Sequence, residues 1–145
     1  KKPITTAVST HKMKRLLFTL LFIAHPLVWA EWEQTNHAGK ENSVHYHDKS
    51  SIKGTNGMVR MQTLIDYSGE VTLKSGVKFS SMVRIDGYDC KYEKTAPIKV
   101  TYYSEAMGTG NIVYASIVKN SDLEWESFSP SSLDEKHWKI ACGKG

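Results

Sequence analysis

Alternation of apolar and polar residues with a period of two is the pattern that most constrains this chain. Residues 59–67 and 77–86 place most of their apolar side chains at every second position, and residues 98–102 repeat the pattern. Because successive side chains of a strand point to opposite faces, this spacing predicts β-strands with one covered face. Residues 112–118 are apolar on both faces, which is typical of a central strand or of one covered by another element.

Turn-forming clusters rich in Gly, Ser and Asn punctuate these segments. They lie at residues 54–57, 68–70, 74–76 and 107–110. Short connections of this kind favour antiparallel neighbours over parallel crossovers. Shorter strands are expected over residues 32–35 and 44–47, so the pattern as a whole predicts an antiparallel β-sheet.

The end of the chain changes from strand to helix character over residues 133–142. Ser132 and Glu135 have the spacing of a capping box, and Gly143 is a natural C-cap. One helical stripe carries Leu133, His137, Ile140 and Ala141. A helix of about ten residues is shorter than the ~12–15 that an isolated helix needs, so packing must hold it. We therefore predict an α+β fold, in which this C-terminal helix packs on one face of the sheet.

The N-terminal part has the design of a secretory signal peptide. The basic start Met13-Lys14-Arg15 precedes an apolar run over 16–24, and Val28-Trp29-Ala30 suits a signal peptidase. The run is roughly half of the ~20 residues that a membrane span needs. We expect a signal peptide over 1–30, with 13–30 as its functional part, and a single domain over 31–145. An amphipathic or buried N-terminal helix is the alternative.

The absence of a cysteine near the expected cut after Ala30 bears on localisation. A bacterial lipid anchor is attached to such a cysteine, so we expect a periplasmic or secreted protein without a stable membrane span. Surface display of this chain is therefore not expected.

Two cysteines, Cys90 and Cys142, both fall in the expected mature domain. An even number in an exported chain predicts a disulfide, and no C-x-x-C or zinc-type spacing supports a redox or metal pair. The bridge would close a loop of roughly 50 residues and stabilise the fold by about 4 kcal/mol. It would tie the short helix to the end of the strand that precedes Cys90.

The charge distribution argues against a nucleic-acid partner, although the whole chain has a formal charge of +4. Five of the 19 Lys and Arg residues lie in the first 15 positions, and all 15 acidic residues lie at or after Glu31. The expected mature domain therefore holds 14 basic and 15 acidic residues. A nearly neutral domain lacks the basic surface that binds phosphates.

Several short motifs occur together in the order seen in one bacterial family. They are Tyr46-His47-Asp48, Ser50-Ser51-Ile52, Leu64-Ile65-Asp66-Tyr67, Asp89-Cys90, Tyr102-Tyr103-Ser104, Met107-Gly108-Thr109-Gly110 and Trp138-Lys139-Ile140-Ala141-Cys142-Gly143. Over residues 32–143, the chain resembles the surface-adhesin protein E family. The resemblance implies a sheet of about six antiparallel strands, a helix tethered by the disulfide, and a capacity to form homodimers.

The resemblance also implies a function in binding. The founding member is an adhesin for host extracellular-matrix and serum proteins, so we expect an exported, non-enzymatic module that recognises host-matrix or envelope proteins. Aromatic residues interleaved with cations are the usual anchors of a protein-binding face. The sequence places such a set, as candidate binding residues, at Arg84, Tyr88, Lys91, Tyr92 and Lys94. An ordinary solvated loop is the alternative.

His45 and His47 are the residues on which an enzymatic alternative would depend. At positions i and i+2 of a strand they share a face, and His37 and Asp48 lie near them in sequence. They could serve a small periplasmic metal-dependent or hydrolytic enzyme, or simply lie on a solvated strand edge. The chain has no G-x-S-x-G or H-E-x-x-H motif, and His137 is expected to pack under the helix. We therefore predict no catalytic residue, metal or cofactor.

Overall fold

The alternating segments form the strands of one antiparallel sheet. The computed structural model describes residues 30–35, 42–55 and 57–144, so the predicted leader up to residue 29, and His37, lie outside the described part. The strands are β1 (Glu33–Gln34), β2 (Ser43–Thr55), β3 (Met58–Thr72), β4 (Lys78–Asp89), β5 (Lys94–Tyr103), β6 (Ile112–Ile117) and β7 (Glu126–Ser127). One α-helix, α1 (Leu133–Ala141), follows them.

The strands lie side by side in chain order from β1 to β6, and each is antiparallel to the one before it. The two-residue strand β7 pairs with the beginning of β5. This arrangement confirms the α+β prediction, because short connections join sequential antiparallel neighbours from β2 to β6. The expected strands at 32–35 and 44–47 exist, although the second is part of the longer β2.

The turn predicted at residues 68–70 was wrong. Strand β3 runs through Ser68, Gly69 and Glu70, and its pairing with β4 becomes irregular between Asp66 and Val71. Extra residues in one strand of an antiparallel pair are accommodated as a bulge, which bends the strand without ending it. The small and polar residues of this segment therefore lie at an irregularity within β3, and the chain does not reverse direction there.

The position expected for residues 112–118 was also wrong. Among the strands that the structure describes, β6 lies at the edge of the sheet and pairs with β5 alone. Ile112 and Ile117 are 61% and 73% exposed, and Tyr114 is exposed as well. A covered strand and an exposed edge strand can both carry apolar residues on both faces. The composition of the segment therefore could not show which of these two positions it occupies.

The helix begins and ends at the predicted signals. The Ser132 side chain accepts a hydrogen bond from the Glu135 N–H at 3.1 Å, and the Glu135 carboxylate accepts one from the N–H of Ser131. Gly143 adopts a left-handed conformation with φ of 65°, and the Lys144 N–H donates to the Lys139 carbonyl at 2.8 Å. These contacts satisfy backbone groups that a helix end leaves without intrahelical partners.

One face of the sheet is covered by α1. Met61 and Tyr88, on neighbouring strands, are buried in one cluster with Trp138 and Ala141 of the helix. The Trp138 Nε1–H also donates to the Asp89 carbonyl at 2.9 Å. Cys90 and Cys142 form the predicted disulfide, with their Cα atoms 5.6 Å apart. Apolar packing, one hydrogen bond and one covalent link therefore hold this short helix in place.

Residues 104–111, between β5 and β6, cover part of the opposite face. The Asp66 carboxylate accepts a hydrogen bond from the Met107 N–H at 2.6 Å, and the Ser81 hydroxyl accepts one from the Gly108 N–H at 2.9 Å. A Cβ at Gly108 would lie 3.0 Å from Val83 and 3.2 Å from the fully buried Leu64. Glycine at 108 therefore lets the backbone itself close over the sheet.

The disulfide yields the first testable prediction. Replacing both Cys90 and Cys142 with Ser should lower the free energy of unfolding by about 4 kcal/mol, because the unfolded chain would regain the entropy of a loop of that length. Urea unfolding of the oxidised protein and of the double variant measures this difference. A double variant with an unchanged unfolding midpoint would show that packing alone holds α1.

Candidate functional site

The turn between β4 and β5 presents an aromatic ring and a cation to solvent. The Asp89 carboxylate accepts hydrogen bonds from the N–H groups of Lys91 and Tyr92, both at 2.9 Å. These bonds order the turn, in which Glu93 has a positive φ of 54°. Tyr92 is 63% exposed, and the Lys91 ammonium lies 4.8 Å from the centre of its ring. The ring and the cation thus form one exposed unit.

The disulfide attaches this turn to the end of α1. Cys90 is the first residue of the turn, and its carbonyl accepts a hydrogen bond from the Lys144 ammonium at 3.3 Å. Lys144 also lies 4.5 Å from the centre of the Trp138 ring. We call Lys91, Tyr92, Lys94 and Lys144 the hairpin-tip patch. It contains three cations, with the Glu93 carboxylate between two of them in sequence.

Lys144 is the member of the hairpin-tip patch that the sequence analysis missed. It lies only two residues after Cys142, and the predicted bridge to Cys90 already places the end of the helix beside the turn. Following the disulfide across the fold would therefore have identified it.

The structure separates the five predicted binding residues. Lys91, Tyr92 and Lys94 lie at the hairpin tip, whereas Tyr88 is only 1% exposed and packs in the core under α1. Tyr88 therefore presents no surface to a partner in this conformation, contrary to the expectation for an exposed anchor. Burial, followed by repulsion from Asp86, raises the pKa of the Tyr88 hydroxyl well above its ordinary value of 10.0.

Arg84 lies away from the hairpin tip and pairs with a buried carboxylate. Its Nη2 donates to Asp86 at 2.7 Å, and the Thr63 hydroxyl lies 3.4 Å from the other Asp86 oxygen. Burial raises the pKa of Asp86 above its ordinary value, although Arg84 opposes the shift. Removing one partner would leave a buried charge without compensation. The contacts of Arg84 are therefore structural ones within the sheet.

The histidines join the N-terminal strands to the helix. The Thr35 hydroxyl contacts His47 Nδ1 at 2.8 Å and His137 Nε2 at 3.2 Å. His45 points to a different partner, the Ser43 hydroxyl, at 3.2 Å. His137 is buried, as predicted. Within residues 30–35, 42–55 and 57–144, no group of three or more His, Cys, Asp and Glu residues is placed to hold a metal ion.

His47 is buried in a site that disfavours its charged form. Its Nε2 is buried without a hydrogen bond and lies 3.7 Å from the Glu33 carboxylate, which Lys49 holds at 2.6 Å. Burial lowers the pKa of His47 below its ordinary value of 6.5, and the attraction of Glu33 only partly offsets this.

The lowered pKa of His47 predicts a loss of stability in acid. The pKa of His47 is lower in the folded protein than its ordinary value of 6.5, so at a pH below 6.5 the unfolded chain binds a proton at this residue more readily than the folded protein does. The free energy of unfolding should therefore fall as the pH decreases through this range. Urea unfolding at about pH 7.5 and about pH 5.5 measures the difference. A His47→Gln variant should lose this component, and a His45→Gln variant should keep it. Equal pH dependence in the wild type and in His47→Gln would contradict the assignment.

None of the helices in the described ranges is both long enough and apolar enough to cross a membrane.

Comparison with solved structures shows that other proteins share this fold. The described fold is similar to solved structures of protein E from Haemophilus influenzae. The selenomethionine form has a TM-score of 0.55 at 16% identity and covers 76% of this chain and 85% of that chain. Crystal form II has a TM-score of 0.53 at 16% identity and covers 68% and 80%. Protein E from a non-typeable strain has a TM-score of 0.53 at 16% identity and covers 76% and 75%.

Sequence comparison gives the family directly. No curated protein sequence matches this chain. The sequence profile described as Surface-adhesin protein E matches residues 32–143, which is most of the chain and includes every strand and the helix. The chain therefore belongs to the surface-adhesin protein E family.

Proposed function

We propose that this protein is an exported, non-enzymatic binding module that recognises a host-matrix or cell-envelope protein through the hairpin-tip patch. The observation that carries the proposal is an exposed Tyr92 in a turn that begins at the disulfide-bonded Cys90 and is held by hydrogen bonds to Asp89. The adhesin family supports a role in binding. In this proposal, a signal peptide over 1–30 directs the domain over 31–145 to the periplasm or out of the cell.

A preordered aromatic side chain suits protein recognition. Tyrosine supplies a large contact area with few rotatable bonds, so little conformational entropy is lost when a partner covers it. The hydrogen bonds from Asp89 and the disulfide at Cys90 hold the backbone of the turn before any partner arrives. Binding would therefore cost less ordering here than on a mobile loop.

The charge of the hairpin-tip patch indicates the chemistry of the partner. Lys91 and Lys94 flank Tyr92 in sequence, and Lys144 contacts the Cys90 carbonyl. The three cations of the patch outnumber the two nearby carboxylates, Asp89 and Glu93. A surface of this sign attracts an acidic protein surface, and salt screens that attraction. We therefore propose an acidic patch on the partner, contacted by Tyr92 at its centre.

A charge-reversal experiment tests this proposal. Binding of the purified protein to immobilised matrix proteins and to envelope extract is measured at physiological salt. Lys91→Glu with Lys94→Glu, and separately Tyr92→Ala, should each weaken binding by about tenfold or more. Lys74→Glu with Lys99→Glu makes the same change of net charge away from the hairpin tip, so this matched control should bind as the wild type does. Failure to recover any partner, or unchanged binding by both tip variants, would remove the basis of the proposal.

We also propose that the edge strand β6 mediates self-association. Natural edge strands are commonly protected by charges, proline or a bulge. The residues of β6, Ile112–Ile117, include neither charge nor proline, and the irregularity in its pairing with β5 is confined to its beginning, between the Tyr102–Tyr114 and Tyr103–Ile112 pairs. Two copies paired antiparallel along β6 would share a two-fold axis and cover Ile112, Tyr114 and Ile117 of each. This edge lies beside Lys99–Tyr103, whereas the hairpin tip adjoins the other end of β5. Both surfaces can therefore be used together.

Self-association is tested by sedimentation velocity over a range of protein concentrations. The wild type should dimerise, and Ile117→Lys should shift the equilibrium to monomer, because a charge would be buried at the joined edge. Val44→Lys, at an exposed position of β2, should leave the dimer intact. A wild type that stays monomeric at all concentrations, or a dimer that Ile117→Lys does not weaken, would refute pairing through β6.

A further inference from the structure

A cavity of about 580 Å³ lies on the side of the sheet away from α1. Arg60 and Gly87 line it. Arg60 precedes Met61 in β3 and Gly87 precedes Tyr88 in β4, and both Met61 and Tyr88 belong to the core that faces α1. Because neighbouring residues of a strand face opposite sides, Arg60 and Gly87 face away from the helix. The volume falls within the range of roughly 300–1,000 Å³ that is typical of small-molecule sites.

Gly87 shapes the floor of this cavity. A Cβ at position 87 would lie 3.1 Å from Cη2 of Trp125 and 3.3 Å from Cδ1 of Ile98. The indole of Trp125 therefore lies against the bare backbone of β4. Any residue other than glycine at position 87 would force neighbouring atoms to move. Leu123 and the 43%-exposed Met58 complete an apolar lining.

The charged side chains that line the cavity are both cations, Lys53 and Arg60. Neither forms an ion pair with any residue in the described ranges of the chain. Arg60 donates one hydrogen bond, from Nη2 to the Asn120 side chain at 3.1 Å. A guanidinium has five N–H donors, so it can still bind an anion.

The nearby carboxylate of Asp48 forms no ion pair with these cations in the described part of the chain. Asp48 lines a neighbouring cavity that shares Lys53 and Arg60. Its Oδ1 accepts hydrogen bonds from the N–H and hydroxyl of Ser50, at 2.8 and 2.6 Å, and from the N–H of Ser51 at 3.3 Å. These bonds hold Asp48 Oδ1 within β2, and the charged side chains that line the cavity of about 580 Å³ itself are the two cations.

We propose that this cavity binds a free organic carboxylate with an apolar body, such as a medium-chain fatty acid. The carboxylate contacts Arg60 and Lys53, and the apolar body packs on Trp125, Leu123 and Ile98. Arginine suits the head group because its N–H donors match the two carboxylate oxygens. This site lies on a different face from the core under α1 and uses no residue of the hairpin-tip patch, so it does not depend on the proposed protein partner.

Isothermal titration calorimetry of the purified protein with decanoate, below its micelle concentration, tests the proposal. Decanoate should bind saturably with one molecule per chain, and decanol and decylammonium should bind at least about tenfold more weakly, because each lacks the anionic head. Lys53→Gln with Arg60→Gln should weaken decanoate binding by about tenfold or more. Lys74→Gln with Lys78→Gln removes the same charge at a distant turn and should leave binding unchanged.

A second variant keeps the test decisive if the double variant does not fold, as judged by circular dichroism and thermal melting. Leu123→Glu, in the segment before β7, places a carboxylate in the cavity and should abolish decanoate binding through repulsion. The proposal is overturned if decanoate shows no saturable binding, if decanol binds equally well, or if the cavity variants bind as the wild type does. Binding only to vesicles of anionic phospholipid would also overturn it, since the cavity is assigned to a free monomer.

Discussion

The disulfide between Cys90 and Cys142 is the constraint on which the rest of this structure depends. Helix α1 has nine residues, fewer than an isolated helix needs to be stable in water. Its apolar side rests on Met61 and Tyr88, and the bridge restricts how far it can separate from them. Because Cys90 also begins the β4–β5 turn, the same bond stabilises the core and orders the exposed hairpin tip.

Much of the fold could be predicted because its determinants are local. A strand with one covered face must alternate, so β4 and β5 were identified within four residues of their ends and β3 within one residue of its beginning. The end of β3 was missed because its irregular segment, Ser68–Glu70, has the composition of a turn. The helix was placed correctly because Ser132 and Gly143 satisfy backbone groups that a helix end leaves open. The edge position of β6 depends instead on which strands pair with one another. The sequence of a single segment does not determine that pairing.

The residues of the candidate site show the same distinction between features set by neighbouring residues and features set by distant ones. That Lys91 and Tyr92 lie in an exposed turn could be predicted because a polar, tyrosine-containing segment follows a strand, and this is visible in a short window of sequence. Their role as binding residues stays a prediction. Tyr88 was misjudged because the element that buries it, α1, lies about fifty residues later in the chain. The contacts of Thr35 with His47 and His137 likewise join three segments far apart in sequence, and the pattern gave no signal for them.

The two faces of the sheet are closed in different ways, and this difference accounts for the cavity. A helix packs on part of one face, with Trp138 and Ala141 against the strands. The other face is covered by two irregular segments, one at Gly108 over Leu64 and Val83, and one at Trp125 over Gly87. Separate segments cannot fill a twisted sheet surface as evenly as side chains of a single helix can. The space that remains lies beside Trp125, where the strands supply Lys53 and Arg60 and thereby give an apolar gap a positive rim.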